Sequence, residues 1–95
     1  MANGFRGVIH HEDFEREFKE LEPNPQIRDQ ILEGIDWILS RVPEEGAFSE
    51  GHGVWIREVS DPVRRRRFYL FYTFSDQHVI LLSIRPPDPF SIWPE

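Results

Sequence analysis

Four successive arginines, Arg64-Arg65-Arg66-Arg67, stand directly before and at the start of an aromatic segment, RFYLFYTF. Clustered guanidiniums can hold the phosphates of RNA or the acidic groups of a partner protein. The plainer reading of the same run is a solvated hairpin loop whose arginines pair with acidic helices. Arg57 and Arg85 are stronger candidates, because each lies in or at the end of an extended segment, VWIREV or HVILLSI, rather than in a loop. An arginine snorkelling on a half-exposed sheet face is their ordinary alternative. His52, between Gly51 and Gly53, is the candidate general base, since an imidazole exchanges protons near neutral pH. An exposed loop histidine is the bland counterpart. Tyr69 and Tyr72 fall on opposite faces of one strand, so one belongs to the core and the other can stack on a base or cover the sheet. Parity alone does not choose between them.

Other chemistries lack their residues. His10 and His11 are adjacent and point apart, and with His52 and His78 they form no ligand spacing, so no metal is expected. The chain has no cysteine, which removes disulfide frameworks and thiolate sites and suits a cytoplasmic protein. Carboxylate pairs such as Glu12/Asp13 and Glu44/Glu45 are sequence neighbours, not convergent acids, so a glycosidase-like site has no support. No phosphate-binding loop, dinucleotide fingerprint, nucleophile elbow or zincin motif is present. No cofactor is called for.

The elements that must position these residues follow from periodicity. Phe5–Ile9 reads as a short strand weakened by Gly7. From His11 to Leu21, Phe14, Phe18 and Leu21 recur at helical spacing among acids suited to a helix N-terminus. Glu22-Pro23-Asn24-Pro25 ends this helix and starts the next, with Asn24 as cap and Pro25 in the first turn. The second helix carries Ile27, Ile31, Ile35, Ile38 and Val42 on one stripe, widened by Leu32, Trp37 and Leu39, and must stop before Pro43. Trp37 and Trp55 are read as core or interface aromatics.

Residues 43–53 read as a turn-rich loop with three glycines, and the pattern then turns extended. VWIREV alternates, RFYLFYTF is apolar on both faces and suits a central strand, and HVILLSI is closed by Pro86 and Pro87. The tail 86–95 is stiff and proline-spaced. Its Phe90, Ile92 and Trp93 are apolar enough to dock on the body or on a partner.

Ninety-five residues make one small domain. No apolar run approaches the roughly 20 residues a membrane helix needs, and the N-terminus lacks a leader pattern, so a protein neither spanning nor exported is expected. Net charge is −6, and it is unevenly spread: residues 1–50 hold five Lys+Arg against twelve Asp+Glu, a net of −7, and residues 51–95 hold six against five. Broad, non-specific nucleic-acid binding is disfavoured, while a local basic face in the second half is not. Strand, helix hairpin and meander together predict a two-layer α+β domain, an N-terminal helical hairpin on an antiparallel sheet of three to four strands.

With this element order the chain resembles the RelE/ParE superfamily of small bacterial toxins from type II toxin–antitoxin pairs. The resemblance covers roughly residues 5–85 and is carried by FEREFKEL, IRDQILEGIDWILSRVPEEG, GVWIREV, RRFYLFYTF and HVILLSI ending in Arg85. It implies a cytoplasmic toxin domain silenced by a cognate antitoxin that, when released, cleaves messenger RNA on the ribosome or blocks DNA gyrase; a homodimer is a further expected partner. Cleavage needs several cations around a developing phosphorane and a route for protons. Laid on that pattern, Arg57 and Arg85 supply phosphate charge, Arg67 positions, and Tyr69 or His52 transfers a proton. Trp55 stands where a second lysine belongs, and it joins Arg64, Arg65, Arg66 and Arg67 as a candidate RNA or partner contact. No tyrosine follows Arg85, Trp93 being the nearest aromatic. The alternatives are a gyrase inhibitor without chemistry and a diverged module that binds a protein through a sheet edge or its tail.

Overall fold

The computed structural model describes residues 5–86. Eight elements follow the chain: β1 (Gly7–His10), α1 (Glu12–Leu21), α2 (Pro25–Arg41), a single 3-10 turn (Pro43–Glu45), β2 (Ala47–Ser49), β3 (Val54–Ser60), β4 (Arg67–Phe74) and β5 (His78–Arg85). The sheet order is β1-β5-β4-β3-β2, with β1 parallel to β5 and all other pairs antiparallel. Two N-terminal helices pack on this five-stranded, mostly antiparallel sheet.

The helices begin and end where local chemistry requires. The His11 imidazole accepts the Asp13 amide at 3.0 Å and caps α1, whose first turn carries Glu12, Asp13 and Glu15 against the positive end of the dipole. Asn24 Oδ1 accepts the amides of Gln26 and Ile27 at 2.9 and 3.4 Å, and Pro25 opens α2. Between the helices lie only Glu22, Pro23 and Asn24.

The core joins Phe14 and Phe18 of α1, Ile31, Ile35 and Leu39 of α2, Phe68, Leu70 and Tyr72 of β4, and Val79, Leu81 and Ile84 of β5, all at most 3% exposed. On β5 the inward residues run 79, 81, then 84, which breaks strand parity. The register explains the break: Tyr72 pairs with Leu81 but Phe71 pairs with Ser83, so Leu82 is an extra residue in a bulge that turns Ile84 inward.

Two expectations are corrected, and of the two readings of Trp37, core or interface, the first falls. The sheet has five strands, because β2 forms within the segment read as a loop: Ala47, Phe48 and Ser49 pair with Ile56, Trp55 and Val54. Its glycines shape the turns around that strand. Gly53 has φ +70°, and a Cβ at Gly46 would run into the Tyr72 hydroxyl. The sheet is not wholly antiparallel, since β1 returns beside β5 after the two helices. Trp37 is not in the core: it is 58% exposed, with the Arg41 guanidinium 4.1 Å from its ring centre. The tail with Phe90, Ile92 and Trp93 lies outside the described residues. No helix among the described residues is long and apolar enough to cross a membrane.

Candidate functional site

Cross-strand pairs share a face of the sheet, so register decides which side chains can meet. Trp55 pairs with Tyr72, Arg57 with Leu70 and Val59 with Phe68, and these partners are core residues beneath the helices. Ile56 pairs with Phe71, Glu58 with Tyr69 and Ser60 with Arg67, and these form the opposite, open face. Arg85 is opposite Tyr69 on the other side of β4 and so extends that face onto β5.

The open face holds a groove of about 550 Å³ lined by Ala47, Ser49, His52, Val54, Ile56, Glu58, Tyr69 and Phe71. Its floor is mostly apolar, and its polar groups stand at the two ends. His52 is in the β2–β3 turn, where its Nδ1 is 3.0 Å from the Ser49 hydroxyl and its backbone amide donates to the Ser49 carbonyl at 3.2 Å. This contact orients the ring and leaves Nε2 to meet a ligand. At the other end Glu58 forms a 3.0 Å ion pair with Arg67. Beyond Tyr69, Arg85 lies 3.6 Å from Glu17 of α1, and its Nε donates to the Ser83 hydroxyl at 3.2 Å.

Of the residues singled out in the sequence, the structure sets Tyr69, Arg67 and Arg85 at one end of the open face and His52 at the other end of the groove. Glu58 is the member that sequence reasoning missed. Its signal was visible, since a lone carboxylate shares the apolar side of the alternating strand VWIREV with Val54 and Ile56.

Other candidates lie elsewhere. Arg57 is on the helix side, partly buried, 3.5 Å from the Val42 carbonyl and 3.9 Å from Glu45. Burial raises the Tyr72 hydroxyl above its ordinary range, with the nearby Arg57 opposing that rise. Trp55 is also on the helix side, its ring packed between Phe48 and Phe74 at centroid distances of 5.4 and 5.1 Å. Neither lines the groove, because two residues an odd number apart on a strand face opposite ways.

The arginine run is divided by its loop. Arg65 has φ +60° and is exposed. Arg64 and Arg66 turn inward onto Glu22 at 3.0 and 2.6 Å, and Arg66 also holds Asp61 at 2.7 Å. Burial would raise both acids, but hydrogen bonds and charge outweigh it. The Asn24 amide with Arg66 and Arg64 holds Glu22 below the usual carboxylate range, and Arg66 with the Val63 and Arg64 amides does the same for Asp61. Arg64 and Arg66 therefore fasten this loop to the end of the helix hairpin.

Of the remaining histidines, His11 caps α1, and His10 faces Asp36 at 3.4 Å and Glu15 at 3.9 Å. Among the described residues no group of three or more His, Cys, Asp or Glu stands where it could hold a metal ion. Comparison with protein-family models, curated proteins and solved structures finds no match to the chain. What the groove can do must follow from its own chemistry: a histidine at one end, a carboxylate with its cross-strand tyrosine at the other, and arginines at that rim.

Proposed function

We propose that the chain is the toxin component of a type II toxin–antitoxin pair and that its open-face groove cleaves messenger RNA on the ribosome without a metal. The observation that carries this reading is the grouping of His52, Glu58 and Tyr69 along one groove with Arg67 on Glu58 and Arg85 beside Tyr69. Phosphodiester transfer asks for such a set. The Glu58 carboxylate takes the proton of a ribose 2′-hydroxyl as that oxygen bonds to phosphorus. The bond to the 5′-oxygen breaks, the Tyr69 hydroxyl, cross-strand from Glu58, gives that oxygen a proton, and a 2′,3′-cyclic phosphate remains. Arg67 and Arg85 oppose the negative charge that grows on the phosphoryl oxygens, and His52, at the far end of the groove, contacts a neighbouring nucleotide. The apolar floor accommodates an unstacked base.

The test is a cell-free bacterial translation reaction in which new RNA 5′ ends are mapped by primer extension. Cuts that require the ribosome and vanish with Glu58→Gln support the reading; intact message with the wild-type protein overturns it.

A second reading keeps the toxin class without the chemistry. The groove is largely apolar, and both rim arginines are already paired with carboxylates, which favours a surface that binds gyrase or another protein. Inhibition of gyrase supercoiling, unchanged by Glu58→Gln and His52→Ala together, would select it.

A further inference from the structure

The two rim arginines are held by unlike carboxylates. Arg67 meets Glu58 at 3.0 Å across neighbouring strands, while Arg85 meets Glu17 at only 3.6 Å and its side chain is 64% exposed. Glu17 itself is firmly placed. One of its oxygens accepts the Ser83 hydroxyl at 2.6 Å and the Ile84 backbone amide at 3.1 Å. The geometry follows from the sheet: β1 pairs only with His78–Leu81, so among the described residues no strand lies beside the outer edge of β5 beyond Leu81, and the bulge at Leu82 falls there. A carboxylate from α1 covers that edge where a strand would have done so.

We propose that Arg85 is the partner-exchanging cation of the groove: it leaves Glu17 for a phosphate of bound RNA, and Glu17 stays behind because Ser83 and the Ile84 amide pin it. The proposal rests on the reading of the groove as an RNA site. It makes Glu17 a positioning residue that touches no substrate. In the resting protein its charge opposes the approach of a phosphate to Arg85, and on binding the guanidinium swings while its former partner does not follow. A carboxylate held only by the arginine would move with it and remain in competition. Here two hydrogen bonds prevent that, and the long, exposed Arg85 side chain gives up one 3.2 Å bond from Nε to the Ser83 hydroxyl when it swings.

The experiment measures binding of a labelled, uniformly 2′-O-methylated RNA oligonucleotide, which lacks the attacking hydroxyl, over a series of salt concentrations. Glu17→Gln keeps an acceptor for Ser83 and Ile84 but removes the charge. It is expected to tighten binding by about two- to fivefold at low salt, with the gain shrinking as salt screens it. In an Arg85→Ala background the same change should have no effect. Ser83→Ala frees both Glu17 and the Arg85 Nε, so it is compared with and without Glu17→Gln, and is expected to weaken binding more while Glu17 keeps its charge. Thermal melts of each variant report whether the fold persists, and binding is compared at a temperature where every variant is folded. An equal gain with and without Arg85, or no gain in Glu17→Gln while Arg85→Ala still weakens binding, overturns the exchange and leaves the RNA site standing. No binding by the wild-type protein overturns the RNA site and the exchange with it.

Discussion

Glu58 and Arg67 form a 3.0 Å ion pair between neighbouring strands, on the open face and at the end of the groove away from His52. The arginine belongs to the conspicuous basic run, yet it is the only member of Arg64–Arg67 shown facing this groove's carboxylate. Glu58→Gln retains an acceptor for Arg67 and removes the base. If the groove cleaves RNA, the rate of ribosome-dependent cutting should fall by at least about 100-fold while the melting midpoint changes little. Full cutting by this variant would remove Glu58 from the mechanism.

Arg57 leads to the opposite expectation. Its side chain is on the helix side, between the Val42 carbonyl and Glu45, at distances too long for strong bonds. Arg57→Ala should leave cutting or gyrase inhibition within about twofold of wild type and cost under about 1.5 kcal/mol of stability. Loss of activity with an unchanged melt would show that the helix side contributes to function after all.

Acid should loosen the loop before β4. Glu22 and Asp61 both have folded-state values below their unfolded ones, so they contribute stability that is complete above the unfolded range near pH 4 and is lost as pH falls through the lower folded values. The melting midpoint should therefore drop between about pH 5 and pH 3. Arg66→Ala leaves two buried carboxylates short of their shared counter-ion. It should lower the midpoint at neutral pH by roughly 10 °C or more and flatten the acid-side fall, because the depressed values depend on that guanidinium. Arg65→Ala, at the exposed loop position, serves as the neutral comparison, and an equal loss in both variants would contradict the assignment.

Tyr72 and Gly46 form a coupled pair under the sheet. The Tyr72 hydroxyl donates to the Pro43 carbonyl at 2.6 Å, and Gly46 leaves it room. Tyr72→Phe leaves that carbonyl unpaired and should cost about 1–3 kcal/mol. Gly46→Ala should cost about as much through overpacking, and the double variant should cost less than the sum, since the hydroxyl that met the new methyl is gone. Strict additivity in urea unfolding would separate the two residues.

The helices were legible because their signals are local. Asn24 and Pro25 mark a start, Pro43 marks a stop, and Phe14, Phe18, Ile31 and Ile35 repeat at the helical period that buries them. Trp37, two residues after Ile35, falls on the other side of the helix from that stripe, and its ring stacks on Arg41 in the next turn. The strands β3, β4 and β5 were legible from alternation and aromatic content. β2 was not, because three residues among glycines carry too little pattern, and it exists through its pairing with β3.

By itself the sequence determined the α+β layering, the positions of the two helices and the meander, the split of Tyr69 from Tyr72 across one strand, and the separation of Glu58 from Arg57. Period and parity are properties of the covalent chain and need no partner. Only the tertiary structure decided which parity faces the helices. The core claimed the side of Tyr72, Arg57 and Trp55 and left His52, Glu58, Arg67 and Tyr69 to the open groove. It also decided that Arg64 and Arg66 fasten a loop to Glu22 and Asp61, and that the bulge at Leu82 sets Arg85 against Glu17. Those choices depend on charges and edges that meet only when residues tens of positions apart are packed together.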